Sequence, residues 1–189
     1  MAILRPKCTL CPLGRRPNIR LVPYDGAQRT RILFVGEAPG ENEDIEGRPF
    51  IGRSGDRLSD LLAVIGMGRD EVGITNICLC RPPDNRTPTA HEITTCTENY
   101  LQSSLARLQR LKLVVTLGKT ASEYFIGPIN MFKGTGKVYR INAGVLVYPM
   151  LHPSAVRSTE RGDQWYDDVA RLRRLLWRGY FGFKEIRWR

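Results

Sequence analysis

Four short runs of apolar, largely β-branched residues recur along the chain: RILFVG (31–36), GITNI (73–77), KLVVTLG (112–118) and VLVYPM (145–150). Runs this uniformly apolar leave no polar face for water, so they belong in a parallel sheet covered on both sides. The stretches between them have a helical period. Leu58, Leu61, Leu62 and Ile65 fall at i, i+3, i+4 and i+7, and Leu101, Leu105, Leu108 and Leu111 do so nearly. A shorter helix is expected over Lys119–Phe125. Trp165, Val169, Leu172, Leu175 and Leu176 form an apolar stripe on an otherwise basic helix, read as core packing. This alternation predicts one doubly wound α/β domain spanning 1–189, a size that buries a core without covalent staples.

Ligands of such sheets bind beyond the carboxyl ends of the strands, where the strand order reverses. Four segments thereby become candidate walls of one site: GEAPG after the first run, Asn76 at the end of the second, GKTA after the third and HPS after the fourth. The first opens a Gly-rich stretch, VGEAPGENEDIEGRPFIGRSG (35–55). A strand running into such a turn usually cradles a phosphate, but Glu37, Glu41, Glu43 and Asp44 argue against an anion here.

Charge points to the partner. With 29 Lys and Arg against 19 Asp and Glu, the chain carries a net +10. Residues 1–31 contribute Arg5, Lys7, Arg15, Arg16, Arg20, Arg29 and Arg31 against Asp25 alone. Such a surplus attracts a polyanion, with nucleic acid the leading candidate; the bland alternative is a solvated surface. No run of about 18 apolar residues suggests a membrane span, and the N-terminus lacks a signal-peptide core, so a cytoplasmic protein is expected.

Five cysteines occupy positions 8, 11, 78, 80 and 96, an odd count that speaks against a disulfide framework. The CTLC pair precedes every expected strand, whereas a thioredoxin-type motif sits on a strand-to-helix turn. Cys8, Cys11, Cys80 and Cys96 supply four thiolates for Zn²⁺ or for an iron–sulfur cluster. The second pair is not a CxxC knuckle, which favours [4Fe–4S] while leaving zinc open. Either centre would staple the N-terminal arm to the loop after the second strand. Cys78, two residues before Cys80, is expected on the same face as a small buried hydrophobe that could substitute as a ligand. His152, just past a strand and held by Pro153, is placed to face the strand-end crevice. His91 is expected in the first turn of an exposed helix, without a role.

In combination CTLC, GEAPGENEDIEGRPFIGRSG, ITNICLCRPPDNRTPT, Cys96 and HPS resemble the family 4 uracil-DNA glycosylases, the iron–sulfur branch of that superfamily, from about Cys8 to Arg157. The resemblance implies a three-layer α/β/α sandwich with a four-stranded parallel sheet, a [4Fe–4S] cluster on Cys8, Cys11, Cys80 and Cys96, and excision of uracil from DNA. It implies that Phe50 stacks on the flipped base and that Asn76 reads its edge, an amide being able to accept from N3–H and donate to O4. Glu43 would fill the space near C5 and reject thymine. His152 would donate to O2 as negative charge grows there, and Glu37 would orient the water or balance the positive sugar. The best-known branch places an Asp one residue later, where this chain has Ala38, which leaves any general base unassigned. A covalent-trapping branch has a His where this chain has Asn85; an amide cannot be that nucleophile, so turnover is expected. Asn85 would help to hold the water, or else simply shape its turn.

DNA must be opened for a base to reach such a pocket, so phosphate contacts are needed. Ser154 and its loop form one expected seat, with Val156 or Arg157 as a wedge into the vacated stack. Arg53 and Ser54 of the GRSG turn form a second, at a helix N-terminus. The expected partners are uracil-containing DNA and replication or repair proteins, with the chain itself a monomer. Two other readings compete: a non-catalytic iron–sulfur DNA-binding module associated with a polymerase, and a covalent uracil-DNA binder.

Overall fold

The structure, a computed structural model, describes residues 8–19, 21–141, 144–156 and 159–177. All four apolar runs are strands: β2 (Ile32–Gly36), β3 (Gly73–Asn76), β4 (Leu113–Leu117) and β6 (Leu146–Met150). They lie parallel in the order β3-β2-β4-β6. The sheet has six strands where four were expected. Two-residue strands β1 (Asp25–Gly26) and β5 (Tyr139–Arg140) add antiparallel edges beside β3 and β6. They are too short and polar to leave a period in the sequence.

Alternate residues of each central strand feed opposite layers, as the period of two requires. Ile32, Phe34, Val115, Leu117, Tyr148 and Met150 pack on one side against α2 (Arg53–Ile65) and α7 (Thr159–Trp177). Leu33, Val35, Val114 and Val147 pack on the other side with Ala121 of α5 (Lys119–Ile126) and Leu101. Trp165, Val169, Leu172 and Leu176 are buried, as the stripe on α7 predicted.

The second helical stretch differs from expectation. It begins at Ala90, under a capping box between Thr89 and Glu92, and passes through α3 (Ala90–Cys96), a π turn (Thr97–Leu101) and α4 (Gln102–Arg107). Leu108 and Leu111 are buried beyond its end, which is why their spacing only approximated a helix. The N-terminal arm is fastened to the loop after β3: Val22 N–H donates to the Leu79 carbonyl at 2.7 Å, and Arg16 Nη1 to the Arg81 carbonyl at 2.9 Å.

Candidate active site

The chain leaves β2 to form β3 on one side and returns to form β4 on the other, so the switch point lies between the carboxyl ends of β2 and β4. A pocket opens there, and the four strand-end segments line it. Glu37 and Ala38 follow β2, Asn76 closes β3, Lys119 follows β4, and His152 and Ser154 follow β6. Glu43, Phe50, Ser54 and Asn85 complete the wall from the connecting loops.

At the floor, close packing depends on Gly36. A Cβ there would lie 2.4 Å from Asn76 Oδ1 and 2.5 Å from Phe50 Cζ, so only glycine lets the amide and the ring meet over this strand. Asn76 is buried, and its side chain has no hydrogen-bond partner among the described residues. Its amide faces the pocket, where it offers a ligand both a donor and an acceptor. Phe50 is buried too, its backbone held at φ 52, in the left-handed region. Its ring centroid is 6.1 Å from that of His152.

His152 has a defined tautomer. The Ser154 backbone N–H donates to Nδ1 at 3.2 Å, and the Ser154 hydroxyl lies 2.7 Å from the same atom. A backbone N–H can only donate, so Nδ1 accepts and the neutral ring carries its proton on Nε2. Burial pushes the ring's pKa down to about 4, which keeps it neutral near pH 7. The site thus contains a neutral imidazole N–H donor.

Glu37 is fixed across the switch point by the Thr120 hydroxyl, which donates to Oε2. The Glu43 carboxylate accepts from Gly40 N–H at 3.0 Å, closing the first turn of α1 (Glu41–Glu46). Burial raises the Glu43 pKa, and backbone donors partly oppose that shift. Asn85 has φ 53 and accepts from Arg81 Nε at 2.9 Å, so its NH₂ is the half left for a ligand. Arg86 and Lys119 also line the pocket; neither was singled out as a site residue from the sequence, although Lys119 lies in the GKTA segment. Arg86 forms a bidentate pair with the buried Glu92, at 2.8 and 2.7 Å.

The expected DNA contacts divide. Ser54 and Ser154 line the pocket. Arg53 is exposed at the first position of α2, outside the lining. Val156 is half-buried against the core, because Arg57 Nη1 donates to the carbonyls of Pro153 and Val156 and draws that loop inward. Arg157 lies outside the described residues.

The five cysteines are reduced and buried, and all line a second, small pocket with Leu13, Leu21 and Tyr100. Cys78 lies beyond the end of β3 rather than within it, yet faces the same pocket as Cys80. Leu79 N–H donates to Cys96 Sγ at 3.3 Å. Burial, with neighbouring thiols, pushes the Cys80 thiol up to about 12, whereas hydrogen bonds from the Cys78 thiol and the Leu79 N–H draw Cys96 down. Among the described residues no three Cys, His, Asp or Glu side chains are grouped to hold a single metal ion. Mononuclear zinc needs every sulfur about 2.3 Å from one point. Thiols around one pocket are a donor set that zinc and iron–sulfur clusters both use.

Fold and pocket define a doubly wound α/β protein whose ligand site sits at the switch point of the sheet. The uracil DNA glycosylase superfamily profile matches residues 23–173. The chain is 42% identical over 178 residues to the type-4 uracil-DNA glycosylase of Thermotoga maritima, covering 90% of each. It is 41% identical over 159 residues to that of Saccharolobus solfataricus, covering 79% of this chain and 72% of the relative. A solution NMR structure of a candidate uracil DNA glycosylase from Methanosarcina acetivorans shares the fold at TM-score 0.51 and 15% identity, over 82% of this chain and 99% of that one. The chain belongs to the uracil DNA glycosylase superfamily, in its type-4 branch. No described helix is long and apolar enough to cross a membrane.

Proposed function

We propose that the protein is a monofunctional DNA glycosylase that hydrolyses the N-glycosidic bond of uracil in DNA, the first step of base excision repair. The observation that carries this reading is the Asn76 amide, which meets Phe50 over Gly36 and lines the pocket with no protein partner among the described residues. Uracil offers N3–H to its oxygen and O4 to its NH₂; cytosine presents the opposite pattern at both atoms. Phe50 stacks on the base and Glu43 occupies the space beside C5, where thymine carries its methyl.

As the bond breaks, charge collects on uracil O2. The Nε2–H of His152 stabilises it there as a neutral donor, and its orientation is prepaid by Ser154. Glu37, held by Thr120, faces the positive sugar and orients the attacking water, aided by the Asn85 NH₂. Ser54, Ser154, Arg53 and Lys119 bind phosphates at the mouth. Val156 acts as a wedge only if its loop releases it from the core.

Cys8, Cys11, Cys80 and Cys96 hold a [4Fe–4S] cluster, which would fasten the arm by iron–thiolate bonds and supply no step of the hydrolysis. Cys80→Ser is expected to lose bound iron and sulfide, measured by elemental analysis and visible absorption.

A labelled oligonucleotide with one uracil tests the function. Strand cleavage at uracil only after alkali supports a monofunctional glycosylase. Intact DNA shifted upward on a denaturing gel would mean covalent capture, and unaltered DNA would mean a binding module. The excision rate is also expected to stay level from about pH 8 to about pH 5 and to fall as the pH drops through about 4, where His152 gains its second proton. A limb near pH 6.5, the ordinary histidine value, would contradict a neutral His152 donor.

A further inference from the structure

Phe50 adopts a backbone conformation that residues with a Cβ avoid, and nothing in the pocket itself accounts for it. The restraint comes from outside. Arg69, in the loop between α2 and β3, donates Nη1 to the Phe50 carbonyl at 2.9 Å and Nη2 to the Pro49 carbonyl. Its Nε donates to Asp25 Oδ2 at 3.1 Å, and the same oxygen accepts from Arg48 Nη2 at 3.1 Å. One planar guanidinium thus grips two successive carbonyls while a carboxylate grips it from behind, a geometry a lysine cannot reproduce. Gly55 admits the arrangement, since a Cβ there would lie 2.1 Å from the Phe50 carbonyl oxygen.

We propose that Arg69 is a positioning residue: it locks the Phe50 peptide in the left-handed conformation that aims the ring into the pocket before any base arrives. This rests on the reading that Phe50 stacks on uracil. Arg69 lines no part of the pocket and acts through Phe50 alone. Without the clasp the segment relaxes to an ordinary backbone conformation, and the ring must be re-ordered each time a base binds.

The test is competitive inhibition of excision by free uracil in wild type, Arg69→Ala, Phe50→Ala and the double variant. Base–aromatic stacking predicts that Phe50→Ala raises the uracil inhibition constant roughly 10- to 100-fold. Arg69→Ala is expected to raise it about tenfold, and the double variant no further than Phe50→Ala alone, the signature of residues acting as a unit. Affinity for undamaged DNA should be unchanged in all of them. Should Arg69→Ala not fold, Arg69→Lys keeps the charge beside Asp25, loses the double grip and is expected to show the same rise. An unchanged constant in whichever Arg69 variant folds, or additive effects in the double variant, would overturn the role of Arg69. An unchanged constant in Phe50→Ala would instead overturn the stacking reading beneath it.

Discussion

Replacing His152 with alanine is expected to lower the single-turnover excision rate by about 10²–10³-fold, the usual cost of one oxyanion donor, while DNA affinity changes little. The argument is one of timing. In the ground state uracil O2 is a weak neutral acceptor, and only as the glycosidic bond stretches does it become the seat of a leaving anion. A neutral N–H fixed in place before that moment stabilises the later state more than the earlier one, so its removal appears in the rate constant rather than in binding. Two local features make the donor ready: the Ser154 backbone N–H, which holds the proton on Nε2, and burial, which keeps the ring neutral. A loss below threefold, or a loss confined to the Michaelis constant, would remove His152 from the chemistry.

A single methyl group at position 36 is expected to do comparable damage without touching any reacting group. Alanine there would place its Cβ 2.4 Å from Asn76 Oδ1 and 2.5 Å from Phe50 Cζ. Neither neighbour can yield easily. Asn76 is buried at the end of a central strand, and Phe50 is held through its carbonyl by Arg69. The amide that reads the base edge and the ring that stacks on its face are pushed apart together. We expect kcat/KM to fall by about 10²-fold or more, in line with the cost of small misplacements in preorganised sites. Overpacking should lower folding stability by about 1–3 kcal/mol. Uracil excision and thermal melting, measured on one preparation, separate the two effects. A variant as active as wild type would mean that the pocket floor is more plastic than its packing implies.

Much of this arrangement was legible in the sequence because it is local. Strands buried on both faces must be apolar throughout, and the four runs declared themselves. Once the strands were placed, topology alone directed Glu37, Asn76, the GKTA segment and His152 to one crevice. The hidden part was long-range. Nothing near Arg69 in sequence signals that it grips Pro49 and Phe50, nor does Thr120 advertise its bond to Glu37, because these pairs meet only after the sheet has formed. The edge strands β1 and β5 were missed because two residues carry no period. Nor does the local sequence signal that Arg57, 96 and 99 positions away, holds the carbonyls of Pro153 and Val156 and turns that loop toward the core.

The docking of the N-terminal arm has a consequence for how the chain reaches its native state. Its acceptors are the carbonyls of Leu79 and Arg81, which exist as a surface only once β3 has joined β2. Arg16 and Arg81 are separated by 65 positions, and closing a free loop of that length costs about 4 kcal/mol plus a constant. Pairing of β3 with β2 shortens the loop left to close, so the arm is expected to dock after the sheet has formed. The cysteines follow the same order. On that order Cys80 and Cys96 are expected to be placed with the scaffold and Cys8 and Cys11 with the arm, so that the thiol-lined pocket closes late in folding.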